Sequence, residues 1–111
     1  MSQTAADQPT GPRNAAPPGL APQTQEFLKA LGSPTRQRIM MLFARGAEMS
    51  VGEVAERVGI SQATASQQLT LLRRGGVVTS RRDGKTVYHR ADRDGALAAL
   101  ADLKSYLTTC C

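Results

Sequence analysis

The chain has 111 residues, enough for one domain, with 14 Lys+Arg against 9 Asp+Glu, a formal net charge of +5 and a pI near 9.9. That balance favours an anionic partner, nucleic acid before a membrane surface. No run approaches the ~18 apolar residues of a membrane span, and the N-terminus lacks the basic start and apolar core of a secretory signal. A cytoplasmic protein with no membrane partner is expected. The only cysteines are the last two residues, Cys110 and Cys111, a pattern that argues against a disulfide framework.

Residues 1–22 hold five of the six prolines and show no apolar periodicity, so a disordered N-terminal arm is expected there. Arg13 is its one base, too little for an electrostatic arm. Residues 23–111 should form the folded domain. Gln23 to Leu31 reads as a short helix with Phe27, Leu28 and Leu31 as its apolar stripe, ended by Gly32. Ser33 and Pro34 are a cap and a first helical residue, opening a second helix to about Ala44 with Ile39, Met40, Leu42 and Phe43 inward. Ser50 and Glu53 have the spacing of a capping box, and Val51, Val54, Ala55 and Val58 share the face of the helix that follows. Gly59 supplies a tight turn. Ser61 caps the next helix, with Ala65, Leu69 and Leu72 inward and Gly75-Gly76 at its end.

Two β-rich runs then flank Asp83-Gly84, a pair favoured in two-residue type I′ hairpins. Asp94 is the expected cap of a last helix, along which Leu97, Leu100, Leu103 and Leu107 form one stripe. The expected class is mainly α with a β-hairpin wing, a dimeric winged helix-turn-helix.

The helix from Ser61 is almost bare of charge, although exposed helices usually carry Lys and Glu. Its outward positions are Ser61, Gln62, Ala63, Thr64, Ser66, Gln67 and Thr70. In a helix-turn-helix the N-terminal half of the second helix enters the major groove. There Gln pairs with adenine, Ser suits several bases and Ala meets a thymine methyl. Charge belongs on the flanks, where the phosphates run. Arg73 to Arg90 carries six basic residues and one acid, Asp83. Arg73 and the hairpin's Arg81, Arg82 and Lys85 are the expected phosphate contacts.

The stretch "ALGSPTRQRIMMLF" followed by "SVGEVAERVGISQATASQQLTLLRRGGVVTSRRDGKTVYHR" resembles the ArsR/SmtB family of bacterial winged-helix repressors, over roughly residues 24–108. Gln68 stands where the family's recognition helix usually has His, and His89 where its wing commonly has Tyr. The resemblance implies a homodimer joined by the first and last helices, here through Phe27, Leu28, Leu97, Leu100, Leu103 and Leu107, bound to a palindromic operator in double-stranded DNA.

Family members are often metal sensors. One site type places Cys-x-Cys on the first helix of the helix-turn-helix, and "AEMSVGEVAE" has neither Cys nor His. A second type uses the last helix, where the matching positions are Asp92, Asp94, Ser105 and Thr108, without the two histidines. Carboxylates alone do not make the nitrogen-rich site that zinc or nickel prefers. Cys110 and Cys111 are the remaining candidate ligands, for nickel or another thiophilic metal ion, and a thiol-based metal or redox sensor or carrier is the alternative reading. A looser resemblance, to actinobacterial nickel-responsive regulators of iron superoxide dismutase, implies an accessory sensor protein that delivers the signal. An enzyme is not expected: there is one His, no nucleophile constellation and no phosphate-cradling Gly loop.

Overall fold

A computed structural model describes residues 19–111; the expected arm lies outside the described residues except at its end. Helix α1 spans Pro22–Leu31, so Pro22 is a first helical residue rather than the last of the arm. Just ahead of it, the Ala21 amide donates to Asp102 Oδ2 at 3.2 Å. Helix α2 (Pro34–Leu42) is capped by Ser33, whose Oγ accepts from the Arg36 amide at 3.3 Å. It ends two residues before Ala44. Phe43 leaves helical geometry, and a 3-10 turn over Ala44–Gly46 carries Arg45 at φ 62° and Gly46 at φ 77°.

Strand β1 (Met49–Ser50) leads into α3 (Val51–Val58), α4 (Gln62–Arg74), β2 (Val78–Asp83), β3 (Thr86–Ala91) and α5 (Arg93–Cys110). The hairpin gains a third strand that the sequence does not announce. β3 lies between β1 and β2, with Met49 opposite His89 on one side and Ser80 opposite His89 on the other. Asp83 pairs with Thr86, so the loop is Gly84-Lys85, one residue later than expected. Only Gly84 has positive φ, 64°, as in a type II′ rather than a type I′ turn.

The core gathers Phe27 and Ala30 from α1, Ile39 and Phe43 from α2 and its end, Val54 and Ala55 from α3, and Ala65, Leu69 and Leu72 from α4. Val77 and Val78 close it from the sheet side and Ala99 from α5. Gly75 lets α1 come close at the end of α4: a Cβ there would sit 2.5 Å from Ala30 Cβ and 3.0 Å from the Glu26 carbonyl. Asp92, not Asp94, caps α5, its Oδ1 accepting from the Gly95 amide at 3.0 Å. Asp94 sits within the first turn, where a carboxylate favours the helix N-terminus.

Candidate nucleic-acid interface

Three short-range contacts aim α4. Ser50 and Glu53 close a reciprocal capping box at the start of α3, with bonds of 3.3 and 2.8 Å. Gly59 turns the chain at φ 80°, a left-handed conformation that penalises any Cβ. Ser61 Oγ then accepts from the Thr64 amide at 3.0 Å and donates to Thr64 Oγ1 at 2.9 Å. These bonds bear on the expected reading face. Ser61 and Thr64 use their hydroxyls on each other and on the cap, and Thr64 is half-buried. Gln62, Ala63, Ser66 and Gln67 are exposed with no side-chain hydrogen bond to the rest of the described residues.

The wing departs from expectation at Arg81. Its guanidinium lies on both oxygens of Glu48, with contacts of 2.7 and 3.0 Å, and 5.1 Å from the ring centre of its cross-strand partner Tyr88. A planar, bidentate pair of this kind fixes Arg81 on the protein and offsets its charge. The pairing holds the Glu48 carboxyl below and the Arg81 guanidinium above their ordinary pKa ranges, hydrogen bonding being the first cause in each. In the free chain Arg81 is thus paired with a carboxylate while its side chain stays half exposed. Arg82 and Lys85 remain exposed at the wing tip, and Arg73 is exposed on α4.

Two further residues take roles that depend on distant parts of the chain: Arg36, which the sequence does not single out, and His89, which reads there as a packing or phosphate residue rather than a ligand. Arg36 ties three elements together: its Nε donates to the Ala30 carbonyl at 2.8 Å, one terminal nitrogen to the Lys29 carbonyl at 3.0 Å and the other to Gln68 Oε1 at 2.8 Å. Gln68, at the position where the family usually has His, is thus an acceptor for this strut. His89 is the other. It is 6% exposed, and its Nδ1 is buried with no hydrogen-bond partner. Burial first, and the positive charge of Arg73 second, hold its pKa below the ordinary imidazole value. No local sequence signal marks either role, because each partner is distant along the chain.

Of the residues expected to join two protomers, Phe27 is a correction: at 7% exposure it packs in the protomer's own core. It points inward with Ala30, while Leu28 is exposed on the same helix. Leu97, Leu100 and Leu107 are exposed on α5, Leu100 at 52%, and Leu103 is half-buried. Among the described residues no three His, Cys, Asp or Glu side chains gather as a metal site. The last-helix positions do not fit one: Asp92 caps α5 and the Thr108 hydroxyl donates to the Lys104 carbonyl. Cys110 and Cys111 stand exposed at the C-terminus with their sulfur atoms adjacent. Among the described residues no helix is long and apolar enough to cross a membrane.

A helix-turn-helix domain family matches residues 31–81. The nodulation protein NolR of Rhizobium meliloti is 39% identical over 77 residues, 69% of this chain and 62% of NolR. A biofilm growth-associated repressor of Xylella fastidiosa is 40% identical over 70 residues, 63% of this chain and 60% of the repressor. The chain thus spans less than two thirds of the length of these curated relatives. A homodimeric winged helix-turn-helix DNA-binding domain from Mycobacterium bovis, a possible ArsR-family transcriptional regulator, superposes with a TM-score of 0.62 at 31% identity, covering 75% of this chain and 76% of that one. The Xylella protein is a repressor and the Mycobacterium bovis domain a possible transcriptional regulator, so the family is one of DNA-binding regulators rather than enzymes. Helix pair, three-stranded wing and sequence likeness agree: the chain belongs to the ArsR/SmtB family of winged helix-turn-helix transcriptional regulators.

Proposed function

We propose that the chain is a sequence-specific DNA-binding transcriptional regulator that acts in the cytoplasm as a homodimer on a two-fold symmetric operator. The observation that carries this is the exposed, uncharged face of α4, flanked by the cations Arg73, Arg82 and Lys85. Gln62, Ala63, Ser66 and Gln67 would read base edges in the major groove, and the flanking cations would hold the phosphates. Leu28 of α1 and Leu97, Leu100 and Leu107 of α5 supply an apolar face for a second copy. The homodimeric state of the Mycobacterium bovis relative supports that assembly. A thiol-based sensor at Cys110 and Cys111 is the second reading, favoured by the exposure and adjacency of the two sulfurs. Otherwise a partner protein delivers the signal.

Selection of duplexes from a random pool tests the main reading. Recovered sites should share a two-fold motif whose half-sites lie about 10 base pairs, or a multiple of that, apart. A folded protein that enriches no motif, or one that binds as a monomer, would overturn it.

A further inference from the structure

Between the reading helix and the wing lies a cavity of about 230 Å³, lined by Val51, Ser66, Leu69, Thr70, Arg73, Val87 and His89. Its walls come from three elements. α4 brings Ser66, Thr70 and Arg73, α3 brings Val51, and β3 brings Val87 and His89 from one face of the strand. Met49 and Ser80 flank His89 in register on β1 and β2. Among these residues Arg73 is the one charged group facing His89, and no carboxylate is with them. Thr70 donates to the Ser66 carbonyl at 2.9 Å, His89 Nδ1 is buried with no partner, and the exposed Ser66 hydroxyl and Arg73 guanidinium make no hydrogen bond among the described residues.

Unpartnered buried polar atoms are costly, so a native structure rarely keeps one without a use. The polar groups here are all able to donate, one is permanently cationic, and one gains a charge when an anion approaches. Resting on the DNA-binding reading above, and extending it, we propose that this cavity seats one backbone phosphate of the DNA, held by Arg73, the Ser66 hydroxyl and the His89 imidazole. The cavity's place fits, because the strand that flanks the groove occupied by α4 passes toward the wing. One cation and a protonatable imidazole, without a carboxylate beside them, suit an anion rather than a metal ion.

A proton follows the phosphate. Free His89 is neutral near pH 7, since burial and Arg73 both oppose its charged form. A phosphate in the seat supplies the missing counter-charge and raises the imidazole's proton affinity. DNA binding then takes up a proton, and affinity rises as pH falls. Full uptake of one proton gives up to about tenfold per pH unit for each seat. His89 is the only histidine in the chain, which makes the signal readable.

The test is fluorescence anisotropy of a labelled random-sequence duplex, at constant ionic strength, from pH 7.5 to 5.5. Wild type should bind about three- to tenfold more tightly per pH unit through part of that range, and His89→Gln should give a flat profile. Should His89→Gln not fold, the selected operator carrying one methylphosphonate per half-site, at symmetric positions, replaces it. Neutralising the seated phosphate should then abolish the pH slope of the wild type, while other positions leave it. A flat wild-type profile, affinity that falls on acidification, or a slope that survives both changes overturns the seat and leaves DNA binding standing. Folded wild type that binds no duplex overturns the DNA reading itself.

Discussion

Replacing Glu48 by Gln tests how the wing holds its charge. In the native wing Arg81 is clamped by both Glu48 oxygens, leaving Arg82 and Lys85 as the exposed cations at the tip. A neutral amide at position 48 keeps the size of the side chain and loses the bidentate ionic grip. Arg81 then becomes available to the DNA. Each added phosphate contact steepens the log-affinity against log-salt slope by about 0.9, and a dimer gains two, or about 1.8 in all. At 0.1 M salt the same relation gives roughly eightfold tighter non-specific binding per contact. Anisotropy titrations of a random duplex between 50 and 200 mM salt read both quantities, and a thermal melt checks that the wing stays folded. In the parent protein, Arg82→Ala or Lys85→Ala should flatten the slope and Arg81→Ala should not. If Arg81→Ala flattens it as much as Arg82→Ala, or if Glu48→Gln leaves it unchanged, the clamp does not withhold Arg81 from DNA.

On the reading face, Gln62→Ala and Gln67→Ala should each cost ~1–3 kcal/mol on the selected operator and little on random duplex; equal loss on both would mean that they do not read bases. Leu100→Glu places a charge in the proposed apolar interface, so sedimentation should show monomers or aggregates, whereas an unaltered dimer would move the interface elsewhere. Folding stability should fall on acidification. The folded His89 pKa lies below the ordinary value of about 6.5 expected in the unfolded chain, so stability is complete above that value and declines as pH falls through it. Urea midpoints at pH 7.5 and 5.5 should show this in wild type and not in His89→Gln. With no gathered ligand set among the described residues, operator affinity should change by less than about fivefold on adding zinc or cobalt, short of usual allosteric coupling. Cys110→Ser with Cys111→Ser should regulate normally in cells, and a double mutant deaf to metal or oxidant would make those thiols the sensor.

The helix-turn-helix was legible because its signals are local. Ser50 with Glu53 and Ser61 with Thr64 act across three residues, and Gly59 acts at its own φ. What escaped the sequence depends on distance. β1 is two residues long and pairs with Tyr88 and His89, far along the chain. Arg81 meets Glu48 across 33 positions, and Arg36 meets Gln68 across 32. Asp92 and Asp94 are equally good caps on paper. The choice falls to Asp92 because its amide donates to the Val77 carbonyl at 2.8 Å, which holds it outside the helix. The hairpin loop shifted for a similar reason: pairing from Val78 with Ala91 sets the register, and the turn takes whichever residues are left. Phe27 and Leu28 share one helix, and only the packing of α1 against α4 and α5 decides which of them faces inward.

The Arg36 strut bears on mechanical tolerance. In the proposed dimer, α1 and α5 form the joint between protomers, while α4 does the reading. In a dimer whose half-sites lie one helical turn apart, each reading helix sits roughly 17 Å from the two-fold axis. A tilt of about 10° at the joint would carry it about 3 Å, the full length of a hydrogen bond. A base-reading amide tolerates no such error. Arg36 grips the last carbonyls of α1 and the middle of α4 with one rigid, planar group. It acts as a gusset between joint and tool, making α1 and α4 turn as one piece. The spacing that the operator must match is then set by how the two protomers meet, and anything that rotates that meeting by a few degrees is felt at the groove.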